Sequence, residues 1–350
     1  MFYLEDDINK IIQDTKSIKK YFIGKTILIT GGNGFLGKYF TEIFYRFNQK
    51  SKKKIKIIIL DNFATSSKLK YFQENKELKF KKYDATKPLK INNKIDIIIH
   101  AAGIASPYYY RKKPLETLDV SIVGTRNLLD LARKNNSKFL FFSSSEIYGD
   151  PDAKNIPTKE TYRGNVSSMG PRACYDESKR LGETLCYIYN KKYNTNVNII
   201  RPFNIYGPGM NKKDYRVMPN FVSNIINNKK LNIYGNGKQT RTYCYITDGL
   251  NGFIRVLALG TPGEVYNIGN TKPEISVDNL IKVIKNVYSG KILVKKTPYP
   301  KSYPEDEPSR RCPNILKAKK HLNFNPKIKL SHGIKKYINW AEIYYKEKKR

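Results

Sequence analysis

Residues 25–37, KTILITGGNGFLG, join a short apolar strand to a glycine-rich turn of the form G-G-x-G-x-x-G. Gly31 permits a tight turn, Gly34 lets the backbone approach a pyrophosphate, and Gly37 allows a helix to pack closely on the strand. A helical segment follows through Phe47, and its N-terminal amides would face the phosphates. The pattern predicts the first strand, turn and helix of a dinucleotide-binding fold. The residues of this turn expected to contact the dinucleotide are Gly31, Asn33, Gly34, Phe35, Leu36 and Gly37.

A second strand, residues 57–61 (IIILD), ends in an acid about 20 residues beyond the glycines, where a ribose-binding carboxylate belongs. Asp61 can accept hydrogen bonds from both ribose hydroxyls, and it would repel a 2′-phosphate. The expected cofactor is therefore NAD and not NADP. The neighbouring Asn62 is included in the expected cofactor site.

Further apolar strands at 95–100, 139–142 and 197–204 alternate with helical segments. The pattern predicts an α/β fold, a Rossmann-type doubly wound parallel sheet with a smaller mixed α/β C-terminal substrate domain. We expect an added amphipathic helix in residues 1–24. A dinucleotide domain is expected in residues 25–203, to which 242–264 return, and a substrate domain in 204–241 and 265–345. The stripe expected to face inward on the first helix, over residues 5–22, is Ile8, Ile11, Ile12, Thr15 and Ile18.

The reactive groups are concentrated in residues 141–185. Tyr175 and Lys179 are spaced i, i+4, so both project from one face of a helix. An ammonium beside a phenol favours the phenolate, which predicts a lowered pKa for Tyr175 and a role as general base. Ser144 ends the apolar run FLFF, where a parallel strand would place its hydroxyl at the sheet edge, and Glu146 follows two residues later.

Residues 145–151 (SEIYGDP) and 170–180 (GPRACYDESKR) resemble the UDP-glucuronate decarboxylases, a branch of the extended short-chain dehydrogenase/reductases. The likeness extends from about residue 25 to about residue 340. It implies an NAD-dependent enzyme that oxidises UDP-glucuronate at C4, releases carbon dioxide and returns the hydride to give UDP-xylose. The catalytic residues that it implies are Ser144, Glu146, Tyr175, Lys179 and Arg311.

The resemblance also implies cofactor and substrate contacts. Asp84 resembles an adenine-contacting aspartate, the turn Ala101, Ala102 and Gly103 would pass beneath the cofactor, and Pro202 would lie near the nicotinamide carboxamide. Tyr175 and Lys179 would contact the cofactor as well. A polar aromatic loop at 106–114 would border the sugar, with Tyr108, Tyr109, Tyr110 and Arg111 as candidates for its carboxylate. The implied nucleotide contacts are Asn204, Val217, Tyr234, Gln239, Arg241, Arg310 and Arg311, with Arg241 favoured for the diphosphate because a guanidinium suits phosphate oxygens.

Other reactions remain open at this point. Ser145 stands where 4,6-dehydratases carry an aspartate, and Glu146 stands where 4-epimerases tend to carry small or hydroxyl residues, so an epimerase is the main alternative. Gly209 occupies a position where the decarboxylases usually have arginine, and a shift of one residue would exchange Arg310 and Arg311. A protein that only binds nucleotide or nucleic acid is a second alternative, which the intact Ser144, Tyr175 and Lys179 set argues against.

The net charge of +35 comes from lysines scattered along the whole chain, which predicts a solvated surface for an anionic substrate and no nucleic-acid partner. Four widely separated cysteines predict reduced thiols and no metal site. The acidic N-terminus and the lack of an apolar run of ~18 residues predict a cytoplasmic protein without membrane attachment. A homodimer is expected through helices at 115–134 and 171–193, since the resembled family pairs in this way.

Overall fold

The computed structural model describes residues 1–49, 51–66, 75, 77–298 and 307–346, so residues 299–306 of the expected substrate domain lie outside the described part. Fourteen strands are present in the described residues. In chain order they are β1 (Thr26–Thr30), β2 (Lys56–Asp61), β3 (Leu78–Lys82), β4 (Ile97–His100), β5 (Lys138–Phe142), β6 (Val197–Pro202), β7 (Ile205–Tyr206), β8 (Leu231–Tyr234), β9 (Thr240–Arg241), β10 (Cys244–Tyr245), β11 (Val265–Ile268), β12 (Ile275–Ser276), β13 (Val294–Thr297) and β14 (Arg310–Arg311).

The helices of the same residues fall between these strands. They are α1 (Glu5–Asp14), α2 (Phe35–Asn48), α3 (Pro107–Lys112), α4 (Pro114–Asn135), α5 (Ala173–Tyr193), α6 (Val217–Ile226), α7 (Ile246–Leu259), α8 (Val277–Val287), α9 (Leu316–Leu322) and α10 (Leu330–Tyr344). Short 3₁₀ helices cover Lys16–Tyr21, Ser145–Tyr148 and Ala153–Asn155.

The main sheet has seven parallel strands in the order β11-β6-β5-β4-β1-β2-β3. Its central strands are continuous apolar runs because both of their faces are covered. Ile27 and Ile29 share one core with residues of α2 and α7, whereas Leu28 shares a second core with residues of α4 and α5. The period of two along each strand thus divides the sheet between two helical layers, which confirms the predicted Rossmann-type fold.

The N-terminal segment packs into the first of these cores, with Ile8 and Ile11 fully buried. The expected single helix over residues 5–22 is wrong in extent, because α1 ends at Asp14 and a 3₁₀ helix follows. Thr15 lies at the break, and its hydroxyl donates to the Ile11 carbonyl at 2.6 Å. This side-chain hydrogen bond gives a carbonyl at the end of α1 a partner that does not depend on a longer helix.

Two further expectations about the elements need correction. Residues 106–114 were expected to form a loop, but α3 occupies most of them, with Pro107 at the start of the helix, where proline is tolerated. The expected return of the chain to the first domain ended at residue 264, yet β11 pairs with β6 and is an edge strand of the main sheet. The smaller sheets are β12-β9-β14, β13-β8 and β10-β7.

No helix in the described ranges has the length and apolar character needed to cross a membrane. All four cysteines are free thiols.

Candidate active site

The glycine turn after β1 is closely packed on all sides. A Cβ atom at Gly31 would lie 2.7 Å from the backbone of Ala102, and one at Gly37 would lie 2.3 Å from the Gly31 carbonyl oxygen. Gly31 also has a φ of 65°, a conformation that favours glycine. Gly34 precedes α2, so the free amides of the first helical turn face the space above the turn. This cradle fits the pyrophosphate of a dinucleotide.

Asp61, at the end of β2, is buried beside this turn. Its carboxylate accepts hydrogen bonds from the backbone amides of Asn33, at 2.9 Å, and Phe63, at 2.7 Å. The turn and the acid are therefore fixed relative to each other, as a ribose contact requires. Asn62 and Asp84 bond instead to amides two residues further on, those of Ala64 and Thr86, and thereby stabilise local turns.

A cleft of about 960 Å³ opens above the carboxyl ends of the main-sheet strands. The strand order reverses between β1 and β4, and ligands of such folds bind at this reversal. The cleft brings together most of the expected cofactor residues, all but one of the expected catalytic residues, and two expected substrate contacts. Its lining includes Gly31, Asn33, Gly34, Phe35, Leu36, Gly37, Ala101, Gly103, Pro202, Ser144, Glu146, Tyr175, Lys179, Tyr109 and Asn204.

Tyr175 and Lys179 project together from α5 into this cleft. The Lys179 ammonium donates to the Phe142 carbonyl at 3.0 Å and lies 5.8 Å from the centroid of the Tyr175 ring. The Tyr110 ring stacks on the Tyr175 ring, with centroids 5.2 Å apart and planes 10° apart. The phenol is therefore held in one orientation.

The expected lowering of the Tyr175 pKa is wrong for this structure. Burial raises the pKa of Tyr175 to about 12, and the negative charge of Glu146 adds to the rise, while a hydrogen bond with Ser144 and the positive charge of Arg216 oppose it. Burial also lowers the pKa of Lys179 to about 8. Desolvation thus has a larger effect on the phenol than the nearby ammonium.

Glu146 is held by two guanidinium groups. Arg311 donates to both of its carboxylate oxygens, at 2.5 and 2.6 Å, and Arg172 donates to one of them. Arg172 also bonds to Glu307 at 2.7 Å and to Asp176 at 3.3 Å. Burial raises the pKa of Asp176 to about 7, with a further contribution from the charge of Glu146. The strand-end acid and Arg311 thus form one ion pair, although 165 residues separate them.

Several expected substrate contacts point elsewhere. One terminal nitrogen of the Arg241 guanidinium bonds to Glu307 at 2.6 Å and to the Pro308 carbonyl at 2.7 Å, and the other donates to the Thr240 carbonyl at 2.8 Å, so protein groups already bond to both terminal nitrogens. Arg310 pairs with Glu274 and is partly exposed, on the opposite side from Arg311. The remaining expected residues outside the cleft lining are Asp61, Asn62, Asp84, Ala102, Tyr108, Tyr110, Arg111, Val217, Tyr234, Gln239 and Arg311.

Some residues of the cleft were not expected from the sequence. Arg216, just before α6, lines the cleft and pairs with Asp214 at 2.5 Å. Lys38 in α2 lines it near the glycine turn. Arg216 reaches the cleft through tertiary packing, whereas Lys38 directly follows Gly37 of the glycine turn, a position that could have indicated it. Arg172 does lie within the quoted segment 170–180, but only its contact with Glu146 shows its relevance.

Comparison with known proteins gives a family and a set of relatives. The model of the NAD dependent epimerase/dehydratase family matches residues 27–269. UDP-glucuronic acid decarboxylase 3 of Arabidopsis thaliana is 37% identical over 313 residues, which cover 88% of this chain and 86% of the relative. UDP-glucuronic acid decarboxylase 1 of Xenopus tropicalis is 36% identical over 320 residues, covering 90% and 72%.

Solved structures agree with the fold. Epimerase Mth375 of Methanothermobacter thermautotrophicus superposes with a TM-score of 0.82 at 23% identity, covering 96% of each chain. Pal of Bacillus thuringiensis gives a TM-score of 0.80 at 28% identity, covering 91% of this chain and all of the other. The chain therefore belongs to the NAD-dependent epimerase/dehydratase family, whose cofactor is NAD.

Proposed function

We propose that this enzyme decarboxylates UDP-glucuronate to UDP-xylose through a transient 4-keto sugar. The observation that carries the proposal is the Glu146–Arg311 pair, in which Glu146 lines the same cleft as Ser144 and Tyr175 and Arg311 holds its carboxylate from outside the lining. A reaction at C5 and C6 of the sugar needs acid–base groups beyond those that act at C4, and this pair supplies them. Curated UDP-glucuronic acid decarboxylases that align over most of the chain support the same reaction.

Proton removal at C4 is assigned to Tyr175. Bound NAD supplies the acceptor for the C4 hydride and afterwards its donor. Tyr175 acts in its phenolate form, which the Lys179 ammonium stabilises, and takes the proton of the C4 hydroxyl. Ser144 hydrogen-bonds the same oxygen. The ring stacking of Tyr110 keeps the phenol oxygen in position during the transfer.

Loss of carbon dioxide then follows from the sugar itself. A ketone at C4 is β to the C6 carboxylate, so the electron pair of the breaking C5–C6 bond moves into an enolate. Protonation at C5 needs a positioned donor, and the Glu146–Arg311 pair organises it. Return of the hydride to C4 and of the proton to its oxygen completes the turnover, with no net oxidation.

One cationic and one hydroxyl group suit the polar groups of the substrate. Arg216 lines the cleft beside Tyr175, and its guanidinium can exchange its half-buried Asp214 partner for a carboxylate or phosphate oxygen. Tyr110 presents a buried hydroxyl without a hydrogen-bond partner among the described residues, next to Tyr175, where a sugar oxygen would satisfy it. We assign the nucleotide to UDP because the aligned relatives act on UDP-glucuronic acid.

We also propose a homodimer through α4 and α5, which pack side by side on the outside of the sheet. Their outer faces expose large apolar side chains, an uncommon feature for helices that face water. These side chains are Leu115, Val123, Leu181, Tyr187, Ile188 and Tyr193.

We further propose that the chain has two parts, a dinucleotide domain that includes β11 and a substrate domain. This division places substrate and cofactor on facing walls of the cleft. The four free thiols support a cytoplasmic location.

A panel of UDP-, dTDP-, GDP- and CDP-sugars analysed by mass spectrometry tests the proposed reaction. Loss of the mass of carbon dioxide from UDP-glucuronate alone is the expected result. Loss of water from a neutral hexose would indicate a dehydratase, and an isobaric product with changed retention would indicate an epimerase. Either of these results would replace the proposal.

A further inference from the structure

Lys38 is a cation at the positively polarised end of a helix. It is the fourth residue of α2, close to the free amides that follow the glycine turn, and it lines the dinucleotide cleft. A positive charge near a helix N-terminus is electrostatically unfavourable unless an anion lies close by. The position therefore calls for a negatively charged partner.

The described residues do not supply that partner directly. Lys38 has no ion pair within them, and its ammonium donates to the Gly209 carbonyl at 3.1 Å. The nearby Asp61 favours the charged form of the Lys38 side chain, but both oxygens of the Asp61 carboxylate already accept hydrogen bonds from backbone amides. Burial lowers the pKa of Lys38 to about 8, as expected for a partly desolvated cation with too little compensating negative charge.

An N-terminal strap, residues 1–3, holds this lysine from the outside. The Phe2 ring lies 5.3 Å from the ammonium and is almost fully buried. The Met1 carbonyl accepts from the Trp340 indole at 3.1 Å, and the Met1 amino group bonds to the Tyr344 hydroxyl at 2.6 Å. The strap and α10 thus close one side of the cleft.

Gly209 shows how closely the strap is fitted. Its φ is +88°, and a Cβ atom there would lie 2.6 Å from the Phe2 carbonyl oxygen. The strap, the segment around Gly209 and Lys38 therefore form one packed unit beside the glycine turn. This packing restricts the ammonium to the cleft side of α2.

We propose that Lys38 is a dinucleotide-binding residue whose ammonium contacts the pyrophosphate, with the N-terminal strap as the wall that orients it. The contact adds a charged donor to the backbone amides of the glycine turn. It also explains why a cation is retained at a helix end where its desolvation is otherwise unfavourable. The proposal concerns cofactor retention and is independent of which sugar the enzyme modifies.

The test is calorimetric titration of dinucleotide-free protein with ADP-ribose, which carries the same pyrophosphate without the nicotinamide. Lys38→Met is expected to weaken binding about 10- to 100-fold, the range of a charge-assisted hydrogen bond. Lys38→Arg is expected to restore most of the affinity. Lys212→Met, which removes an exposed lysine of the same cleft, is the matched control and is expected to change the affinity less than about twofold.

Thermal unfolding separates binding from a purely structural role. If the proposal holds, ligand-free Lys38→Met unfolds at or above the wild-type temperature, and saturating ADP-ribose raises that temperature less than in wild type. Unchanged ADP-ribose affinity in Lys38→Met would overturn the proposal, as would an equal loss in Lys212→Met. The product formed at saturating NAD is expected to be the same in all variants, so failure here is distinguishable from failure of the decarboxylase assignment.

Discussion

We propose Tyr175 as the general base, in an environment that, without ligands, keeps its hydroxyl protonated because burial raises its pKa to about 12. Removing its hydroxyl should therefore abolish proton transfer while leaving the ring stack with Tyr110 in place. We expect Tyr175→Phe to lower turnover at least about 10³-fold, within the usual range for a lost general base, and to retain bound NAD. Absorbance of the dinucleotide released on denaturation measures retention.

The matched control is Tyr189→Phe on the same helix. Its hydroxyl bonds to Asp130 at 2.6 Å, away from the cleft. That variant should turn over at close to the wild-type rate. Substantial activity in Tyr175→Phe would remove this phenol from the proposed role.

The adjacent arginines Arg310 and Arg311 give a second test at this scale. Arg311 bonds both oxygens of the Glu146 carboxylate, whereas Arg310 faces Glu274 on the partly exposed side. Lysine cannot reproduce a bidentate guanidinium contact. We expect Arg311→Lys to lower kcat about 100-fold and Arg310→Lys to change it less than about threefold, measured as UDP-xylose formation. The reverse pattern would assign the site to Arg310.

Sequence spacing predicted some residues well and others poorly, for a physical reason. Lys179 follows Tyr175 by one helical turn, and Ser144 follows the last residue of β5 by two residues, so the helix period and the sheet edge of the predicted fold were enough to place all three in one cleft. Arg241 bonds to Glu307, which lies 66 residues away along the chain, and no local pattern could indicate that contact. The direction of the shift in the Tyr175 pKa likewise depends on burial, which sequence spacing does not predict.

At the scale of elements, β4 ends in a buried histidine beneath the cleft. His100 bonds to the Thr30 hydroxyl at 2.8 Å, and burial, reinforced by the Lys179 charge, lowers its pKa to about 3. In the unfolded chain this imidazole binds a proton near pH 6.5, whereas in the folded protein it stays neutral until the pH approaches 3. The free energy of unfolding is therefore highest above pH 6.5 and falls as the pH decreases towards 3.

The expected result is a loss of about 2 kcal/mol of unfolding free energy between pH 7 and pH 5 from this residue, at about 1.4 kcal/mol per pH unit below 6.5. In urea unfolding, the free energy of unfolding of His100→Gln should fall less over this pH range than that of wild type, and the difference should equal that loss. His332→Gln, at an exposed position of α10, should keep the wild-type slope. Equal slopes for wild type and His100→Gln would contradict the assignment.

The predictability of the elements follows the strength of their periodic patterns. The strands β1, β2, β4, β5 and β6 were predicted from apolar runs, and α2, α4 and α5 from the helical segments that follow or carry the motifs. The end of α1 was missed because the apolar period continues past Thr15, and a side-chain hydrogen bond decided the break. The helix α3 was missed because its tyrosines and basic residues show no apolar period.

At the scale of the whole molecule, the apolar outer faces of α4 and α5 predict the assembly. Light scattering after gel filtration should give twice the 40.6 kDa of one chain. Leu181→Lys combined with Tyr187→Lys should yield monomers, because both side chains are exposed on α5. Ile343→Lys, on the exposed side of α10, should remain dimeric. A monomeric wild type would contradict the proposed pairing.

In the proposed reaction a hydride leaves C4 of UDP-glucuronate, carbon dioxide leaves C5, and the same hydride returns to C4. Incubating the purified enzyme and its bound NAD with UDP-glucuronate deuterated at C4, in ordinary water, tests it by mass spectrometry and NMR. The predicted product is UDP-xylose that retains deuterium at C4 and gains a solvent proton at C5. A product that keeps its carboxylate, or UDP-xylose whose C4 deuterium has been lost to solvent, would contradict it.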